Sequence, residues 1–396
     1  MTALPTIGPD QRRARLGRRH RLAADARADT PVQVAESLLA LHGSDPASVV
    51  LAVLARTRQP DSAAVEDALY ERRELVRLLG MRRTMFVVPV ATAPVLQAAC
   101  TDLIAARERK KLLQVIEQYG IATDPAGWLR DVEDTALRAL AARGTATAAE
   151  LAQDEPRLRT AILASPDKSY AAKQNLGTRV LFGLGAQGRI VRGRPRGSWT
   201  SSQYTWWPAA SWLTSTATDW AAETAQVELV RRWLASFGPG TVEDLRWWTG
   251  LTLGQVRTAL ARIGPAEVDL GGVTGLVLGD DVDPVPEPEP WVALLPALDP
   301  TPMGWNQRDW FLGEHAAALF DRSGNIGPTV WSDGRIVGGW GQRKDGEIAF
   351  RLLTEVGAEV TGAVRSAAEQ LAADLGDTRV TPRFRTPLER ELTASG

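Results

Sequence analysis

The residues with the clearest chemical potential lie in one short segment, His42-Gly43-Ser44-Asp45-Pro46. A neutral histidine can accept a proton from water near pH 7, a serine hydroxyl can orient that water, and a carboxylate can fix the imidazole tautomer. The pattern therefore predicts His42, Ser44 and Asp45 as catalytic residues. The segment lacks the strand-turn-helix pattern of a nucleophile elbow, so acyl transfer is not predicted.

The same segment also has a purely structural interpretation. Histidine is common at the C-terminal end of a helix, and His42 directly follows the predicted helix 31–41. Ser44 stands where a hydroxyl can cap the helix that begins at Pro46. Both interpretations are open at the level of sequence.

Arginine is the second residue type with a chemical signature. The chain has 46 basic residues, only five of them lysine, although the net charge is −1. Arginine binds phosphate through a planar fork of donors, and clustered arginines can form a basic face on a neutral protein. A GC-rich genome would explain much of the bias, but not the clustering in 12–27 or the acidic run in 280–289. The residues predicted to contact DNA are Arg82, Arg83, Arg189, Arg192, Arg194 and Arg196.

The elements around these residues follow one recurring order. Helical spacing in 31–41, 47–56 and 62–71 precedes two strand-like runs, 75–80 and 82–89, and three helices followed by a hairpin is the winged-helix order. On this interpretation Arg82 and Arg83 lie on a wing strand, where the alternative is a solvated strand face.

Two further units show a similar order. In the second, predicted helices at 131–143, 148–153, 156–163 and 173–181 precede a basic wing within 184–199. A disordered, solvated loop is the alternative for that wing. In the third, helices at 223–236, 241–248 and 253–263 precede strands at 267–270 and 275–278.

The remainder changes character. Strands are predicted at 291–298, 329–342, 347–353 and 378–384, with one helix at 359–374. The fold class is therefore α+β, with tandem winged-helix units around a concave channel and a β-rich, barrel-like C-terminal module. The predicted domains are 1–125, 126–215, 216–283 and 284–396.

Four stretches together resemble the winged-helix family of bacterial alkylpurine DNA glycosylases that unhook interstrand crosslinks, the azinomycin-resistance glycosylase and its relatives. They are LLALHGSDP (38–46), MRRTMFVVP (81–89), LLPALDPTPMGW (294–305) and DGRIVGGW (333–340). The resemblance implies three winged helices around a DNA channel and a β-rich C-terminal module. Asp299 in the third stretch matches a family position, with a turn cap as its structural alternative.

The chain departs from that family at its motif. Active members carry Gln-x-Gln or Gln-x-Asp where this chain has His42 and Ser44, and a histidine-containing strand where it has Phe86. The predicted function is recognition or excision of bulky N-alkylated purines or crosslinks in duplex DNA. The alternative is a DNA-binding regulator or nucleoid-associated protein that has lost glycosylase activity.

The remaining expectations are exclusions. No apolar run is long enough to cross a bilayer, and the basic N-terminus lacks the apolar core of a secretory signal, so we expect a cytoplasmic protein. Cys100 is the single cysteine, and with three histidines it gives no zinc-site spacing. We expect no metal or cofactor, duplex DNA as partner, no membrane association, and a monomer.

Overall fold

The computed structural model describes residues 4–164, 172–213 and 219–394. They form a mixed α/β fold in which the paired strands are antiparallel hairpins and small sheets among helices. This agrees with the predicted α+β class in its coarse form. Within these residues, none of the helices combines the length and apolar character that a bilayer crossing needs.

The N-terminal arginine-rich helix is shorter than predicted. Helix α1 is Pro9–Arg19, and the chain turns at Arg21, whose φ is +60°. Arg15 is 1% exposed and donates to the carboxylate of Asp281 at 2.6 Å and to the Asp283 carbonyl at 2.6 Å. Part of this basic cluster is therefore neutralised inside the protein by the acidic run.

The first unit contains helices before a hairpin, as predicted, with an additional short strand. Its elements are α2 (Pro31–Ser37), β1 (Leu41–His42), α3 (Pro46–Leu54), α4 (Ser62–Glu66, continued by a π-helical turn, Asp67–Glu71), β2 (Leu75–Gly80) and β3 (Thr84–Pro89). Strand β1 pairs with β3, so the sheet order is β1-β3-β2. Two details of the sequence interpretation are wrong: His42 lies on a strand rather than at a helix end, and Asp45 rather than Ser44 caps α3.

A helical segment connects the first unit to the second. It comprises α5 (Ala93–Leu96, continued by a π-helical turn, Gln97–Thr101) and α6 (Asp102–Gln118). The second unit comprises α7 (Pro125–Arg143), α8 (Ala148–Asp154), β4 (Ala161–Ala164), β5 (Ala172–Asn175), α9 (Leu176–Ala186), β6 (Ile190–Pro195), β7 (Tyr204–Pro208) and α10 (Ala209–Trp212). The predicted helix 156–163 is instead a 3-10 turn, Pro156–Arg159, followed by β4. The wing is displaced toward the C-terminus, because the glycine-containing 184–186 continues helix α9 and the second strand is β7.

The third unit agrees with the sequence to within one or two residues. It comprises α11 (Ala222–Phe237), α12 (Val242–Thr249), α13 (Leu253–Ile263), β8 (Ala266–Asp269) and β9 (Thr274–Val277). Thr241 and Thr252 both form capping boxes, which explains why these helix starts were predictable.

The three units share one backbone pairing, although their sequences show no repeat that would predict it. In each, a residue between the first two helices pairs with the last strand of the hairpin. These pairs are His42 with Phe86, Ala146 with Trp206, and Gly240 with Leu276. His42 therefore occupies a position set by the topology of its unit.

The C-terminal part is an open sheet, not a barrel. Its elements are β10 (Val292–Leu295), α14 (Asp309–Leu312), α15 (Ala316–Leu319), β11 (Thr329–Ser332), β12 (Arg335–Gln342), β13 (Ile348–Leu352), α16 (Ala358–Leu375) and α17 (Pro387–Ala394). The strands follow the order β10-β11-β12-β13, so β10 and β13 are free edges and the barrel-like prediction is wrong. The predicted strand 378–384 does not form either.

Most of the buried apolar side chains in the described residues belong to two large hydrophobic cores, and two small clusters lie beside them. One core, lying between Leu112 and Ile190, belongs to the second unit. A larger core joins residues of the first and third units to the C-terminal sheet. The predicted domain boundaries remain predictions.

Candidate active site

Strand pairing positions the loop that carries His42 and Ser44. Leu41 and His42 pair with Val87 and Phe86 of β3, and the backbone N–H of Gly43 donates to the carbonyl of Met85 at 2.7 Å. The loop therefore starts from a fixed strand edge and enters α3 directly.

Asp45 fixes the other end of the loop. Its Oδ1 accepts the N–H of Ala47 at 3.1 Å, and its Oδ2 accepts the N–H of Arg383 at 2.9 Å. Asp45 is 4% exposed, and both its oxygens are engaged by backbone donors. The predicted contact in which Asp45 fixes the His42 tautomer is not formed in this structure, and Asp45 acts here as a helix cap.

His42 presents a neutral imidazole. The side chain is partly exposed, its Nδ1 is enclosed without a hydrogen-bond partner, and its ring contacts the Phe86 ring edge-on at 5.6 Å between centroids. Burial, aided by the charge of Arg82, lowers the pKa of His42 to about 4. At pH 7 the imidazole is therefore uncharged and can accept a proton.

Gly43 allows a close approach between the loop and β2. The Nη1 of Arg77 donates to the Gly43 carbonyl at 2.6 Å. A Cβ at position 43 would stand 2.9 Å from that Nη1 and 3.3 Å from the carbonyl oxygen of Met85. A larger residue would have to displace the Arg77 guanidinium and press on the backbone of β3, and Arg77 supports the loop through its hydrogen bond.

On the His42 side, two guanidiniums lie on one indole. The Cζ atoms of Arg82 and Arg308 are 4.2 Å and 4.9 Å from the centroid of a Trp247 ring. Burial and the neighbouring charge of Arg82 lower the pKa of Arg308 to about 10, so it is still a cation at pH 7. We call Arg82, Arg308 and Trp247 the Trp247 cluster.

On the Ser44 side, a second group of cations surrounds a phenol. The Cζ atoms of Arg77 and Arg192 are 4.8 Å and 5.3 Å from the ring centroid of Tyr204, on strand β7 of the second unit. The Nη1 of Arg383 is 3.4 Å from the Ser44 carbonyl. We call Arg77, Arg192, Arg383 and Tyr204 the Tyr204 cluster.

The other arginines predicted to contact DNA differ in whether they form ion pairs. Arg83 pairs with Glu108 at 3.0 Å, Arg194 with Glu66 and Glu71 at 2.8 Å and 2.9 Å, and Arg196 with Glu150 at 2.5 Å. Arg189 is exposed and makes no side-chain contact within the described residues. In contrast, no arginine of the Trp247 or Tyr204 cluster forms an ion pair within the described ranges.

The structure also moves Arg82 and Arg83 off the predicted strand. Both lie in the tight turn Met81–Arg83 between β2 and β3, with φ of +54° and +61°. The turn projects them differently from strand residues, toward Trp247 and Phe182 respectively.

Sequence reasoning missed three of the five arginines in the two clusters, namely Arg77, Arg308 and Arg383. Arg77 stands in an otherwise apolar strand, LVRLLG, and a buried charge in such a run was the available signal. The other two carry no local signal, because they reach the site from the C-terminal part of the chain.

No group of three or more histidine, cysteine or acidic side chains in the described ranges is arranged to hold a metal ion. The single thiol, Cys100, is buried, and burial raises its pKa to about 12. The chemistry available at this site is therefore that of a neutral imidazole, a hydroxyl and five guanidiniums.

Comparisons with known proteins agree with this arrangement. A family model described as DNA glycosylase AlkZ-like matches residues 35–376. The solved structure of Streptomyces sahachiroi DNA glycosylase AlkZ is similar with a TM-score of 0.72 at 21% identity, over 96% of this chain and 100% of that one. No curated protein matches the sequence. The structural likeness shows a shared fold.

Proposed function

The chain belongs to the AlkZ-like DNA glycosylase family, and we propose on that premise that it hydrolyses the N-glycosidic bond of bulky N-alkylated purines in duplex DNA. One observation carries the proposal. The loop of His42 and Ser44 is next to two arginine clusters that form no ion pairs within the described residues, and the His42 imidazole is uncharged, with an Nδ1 that has no hydrogen-bond partner there. The arginines suit binding of the DNA phosphates, and the imidazole suits activation of a water that attacks the deoxyribose.

The proposed reaction needs little from the protein. An N7-alkylated purine is already cationic, so the bond from C1′ to N9 breaks with its electron pair moving to the base. Water then bonds to C1′, and His42 accepts the proton that this water loses. Ser44 orients the water, and Asp45 holds the loop through the α3 cap. The nearby phosphates and dipoles stabilise the oxocarbenium-like sugar.

We further propose that the three units are winged helices around a concave DNA channel. Three helices precede a hairpin in each unit, which supports this, as does the shared pairing of His42, Ala146 and Gly240 with the last hairpin strand. The two clusters draw on the first unit, the second, the third and the C-terminal part of one chain. That composition suits a monomer, and we propose a cytoplasmic one.

The decisive experiment is base release from duplexes that contain N7-methylguanine or a nitrogen-mustard crosslink. We expect release of the alkylated base and an alkali-labile abasic site, with the wild-type chain compared with His42→Ala. Equal background release from both proteins, together with tighter binding to the damaged duplex, would select the alternative of a non-enzymatic DNA-binding protein. No release and no preference for damaged duplex would refute both forms of the damage-recognition proposal.

A further inference from the structure

The Tyr204 cluster holds more positive charge than its neighbours balance. Arg77, Arg192 and Arg383 surround the Tyr204 and Ser44 region without an ion pair in the described ranges. The nearby carboxylate, Asp45, already accepts backbone N–H groups at both oxygens. Burial lowers the pKa of Arg192, and the charges of Arg77 and Arg383 lower it further.

Two polar atoms of this cluster are enclosed and have no hydrogen-bond partner among the described residues. Arg77 is 4% exposed, and its Nε is one of these atoms. The hydroxyl of Tyr204 is the other. An unpaired buried donor destabilises the folded state, so native proteins seldom leave one without a function or a ligand.

We infer that Arg77, Arg192, Arg383 and Tyr204 form a phosphate subsite for the DNA phosphodiester next to the nucleotide presented to His42 and Ser44. The inference rests on the proposed function and deepens it. A phosphate oxygen accepts charge-assisted hydrogen bonds from several guanidiniums and from a phenol at once, which satisfies the unpartnered donors.

The location follows from the contacts of the loop itself. Arg77 donates to the carbonyl of Gly43 at 2.6 Å, and Arg383 lies 3.4 Å from the carbonyl of Ser44. A phosphate held here is tied to the same loop that carries the two candidate catalytic side chains. The subsite therefore fixes the register of the strand relative to His42, and its arginines are positioning residues.

The cluster also joins separate parts of the chain. Arg77 comes from the first unit, Arg192 and Tyr204 come from the second-unit hairpin, and Arg383 follows α16. A phosphate bound among them would contact the first unit, the second unit and the C-terminal part at once.

The test replaces one phosphate at a time by a neutral methylphosphonate. The probe is a duplex with a tetrahydrofuran abasic analogue, and affinity is measured by fluorescence anisotropy with the full chain. We expect one methylphosphonate beside the analogue to weaken wild-type binding about tenfold, as loss of a charge-assisted contact would. Arg192→Gln and Arg383→Gln should each weaken binding to the unmodified duplex by a similar factor.

The combination decides the assignment. With Arg192→Gln or Arg383→Gln, the same methylphosphonate should cause little further loss, because the contact is already absent. Arg143→Gln is the matched control: it removes a second-unit cation paired with Asp154, and should keep the full methylphosphonate penalty. Arg77 is left intact, because its loss would also release the loop.

Two results overturn the inference. Additive losses for arginine variants and methylphosphonates at every position would mean that no arginine of the cluster meets a particular phosphate. If the losses are additive in this way and the wild-type chain still releases alkylated bases, the proposed function survives and the subsite alone is refuted. If it neither binds duplex nor releases bases, the proposed function fails, and this inference fails with it.

Discussion

Arg56 and Asp299 face each other in a bidentate ion pair from which solvent is excluded. The Nη1 to Oδ2 distance is 2.8 Å, the Nη2 to Oδ1 distance is 2.7 Å, and both side chains are 0% exposed. Arg56 follows α3, the helix that Asp45 caps, and Asp299 follows the first strand of the C-terminal sheet. The pair therefore holds the active-site unit on the C-terminal module.

Asp299→Asn should leave a buried guanidinium without its counter-charge. We expect it to lower the free energy of unfolding by about 3–5 kcal/mol, as for other broken buried pairs. Urea denaturation of the two proteins measures the difference.

The matched control is Arg58→Gln, which breaks an exposed pair with Asp29. It should cost less than about 1 kcal/mol. If both substitutions lower the free energy of unfolding by an equally small amount, the Arg56–Asp299 pair does not hold the two parts of the protein together.

His20 should make the protein acid-sensitive. Its ring is fully buried, with Nδ1 2.8 Å from the Thr301 hydroxyl, and burial followed by the charge of Arg56 lowers its pKa to about 3. Unfolded histidine titrates near 6.5, so the unfolded state binds the proton first as pH falls. Stability is highest above that pH and decreases toward pH 3, by about 2 kcal/mol at pH 5 for this group.

Urea midpoints between pH 7 and pH 5 measure that loss. His20→Gln should be less stable than the wild-type chain at pH 7 but should lose less free energy of unfolding between the two pH values. The loss that remains is the contribution of His42. His315→Gln, at a partly exposed histidine, is the control for the loss of a histidine side chain. An unchanged pH dependence in His20→Gln would remove His20 as its source.

His42→Ala should separate binding from chemistry. Loss of a general base lowers the rate by about 10²–10⁴-fold. Duplex affinity should stay near the wild-type value, because the clusters supply the cations. Single-turnover release of N7-methylguanine, with parallel anisotropy, measures the two effects, and equal losses in both would assign His42 to binding alone.

The pH profile gives a second test of His42. With a pKa of about 4, the imidazole remains a base through the range 5.5–7.5, and the release rate should be nearly flat there. It should decrease only as pH falls toward 4. A half-maximal rate near pH 6.5 would mean that the general base is a histidine with an ordinary pKa.

Arg82→Ala should change salt dependence more than Arg83→Ala. Removing a cation that contacts phosphate flattens the slope of log affinity against log salt by about one unit. Arg82 has no carboxylate partner in the described structure, whereas Arg83 pairs with Glu108, so its replacement should flatten the slope less. Affinity titrations between low and moderate salt test this, and identical slopes in all three proteins would exclude Arg82 from phosphate binding.

His42→Gln combined with Ser44→Gln would give the loop the residue types of the family motif. If only the motif differs, base release should persist or rise relative to the wild-type chain. Inactivity of a folded double variant with normal duplex affinity would show that the surroundings of the loop, including Phe86 and the Trp247 cluster, have changed with it.

Local chemistry made much of this protein predictable. Several element boundaries depend only on neighbouring residues and were predicted correctly. They are the capping boxes at Thr241 and Thr252, the Asp333-Gly334 hairpin turn and the helix start at Pro46. The four matched stretches pointed to the family for the same reason. The sequence places the second wing too early, because residues 184–186, predicted to begin its first strand, continue helix α9.

The sequence by itself determined most of the helices, most of the hairpins and the short loop that presents His42 and Ser44, because these depend on contacts between near neighbours. Only the tertiary structure decided which charges are neutralised. Arg194 meets Glu66 and Glu71 from more than a hundred residues away, while Arg77, Arg192 and Arg383 converge without forming an ion pair in the part of the chain that the structure describes. Ion pairs depend on distances across the packed core, and no local pattern encodes those distances.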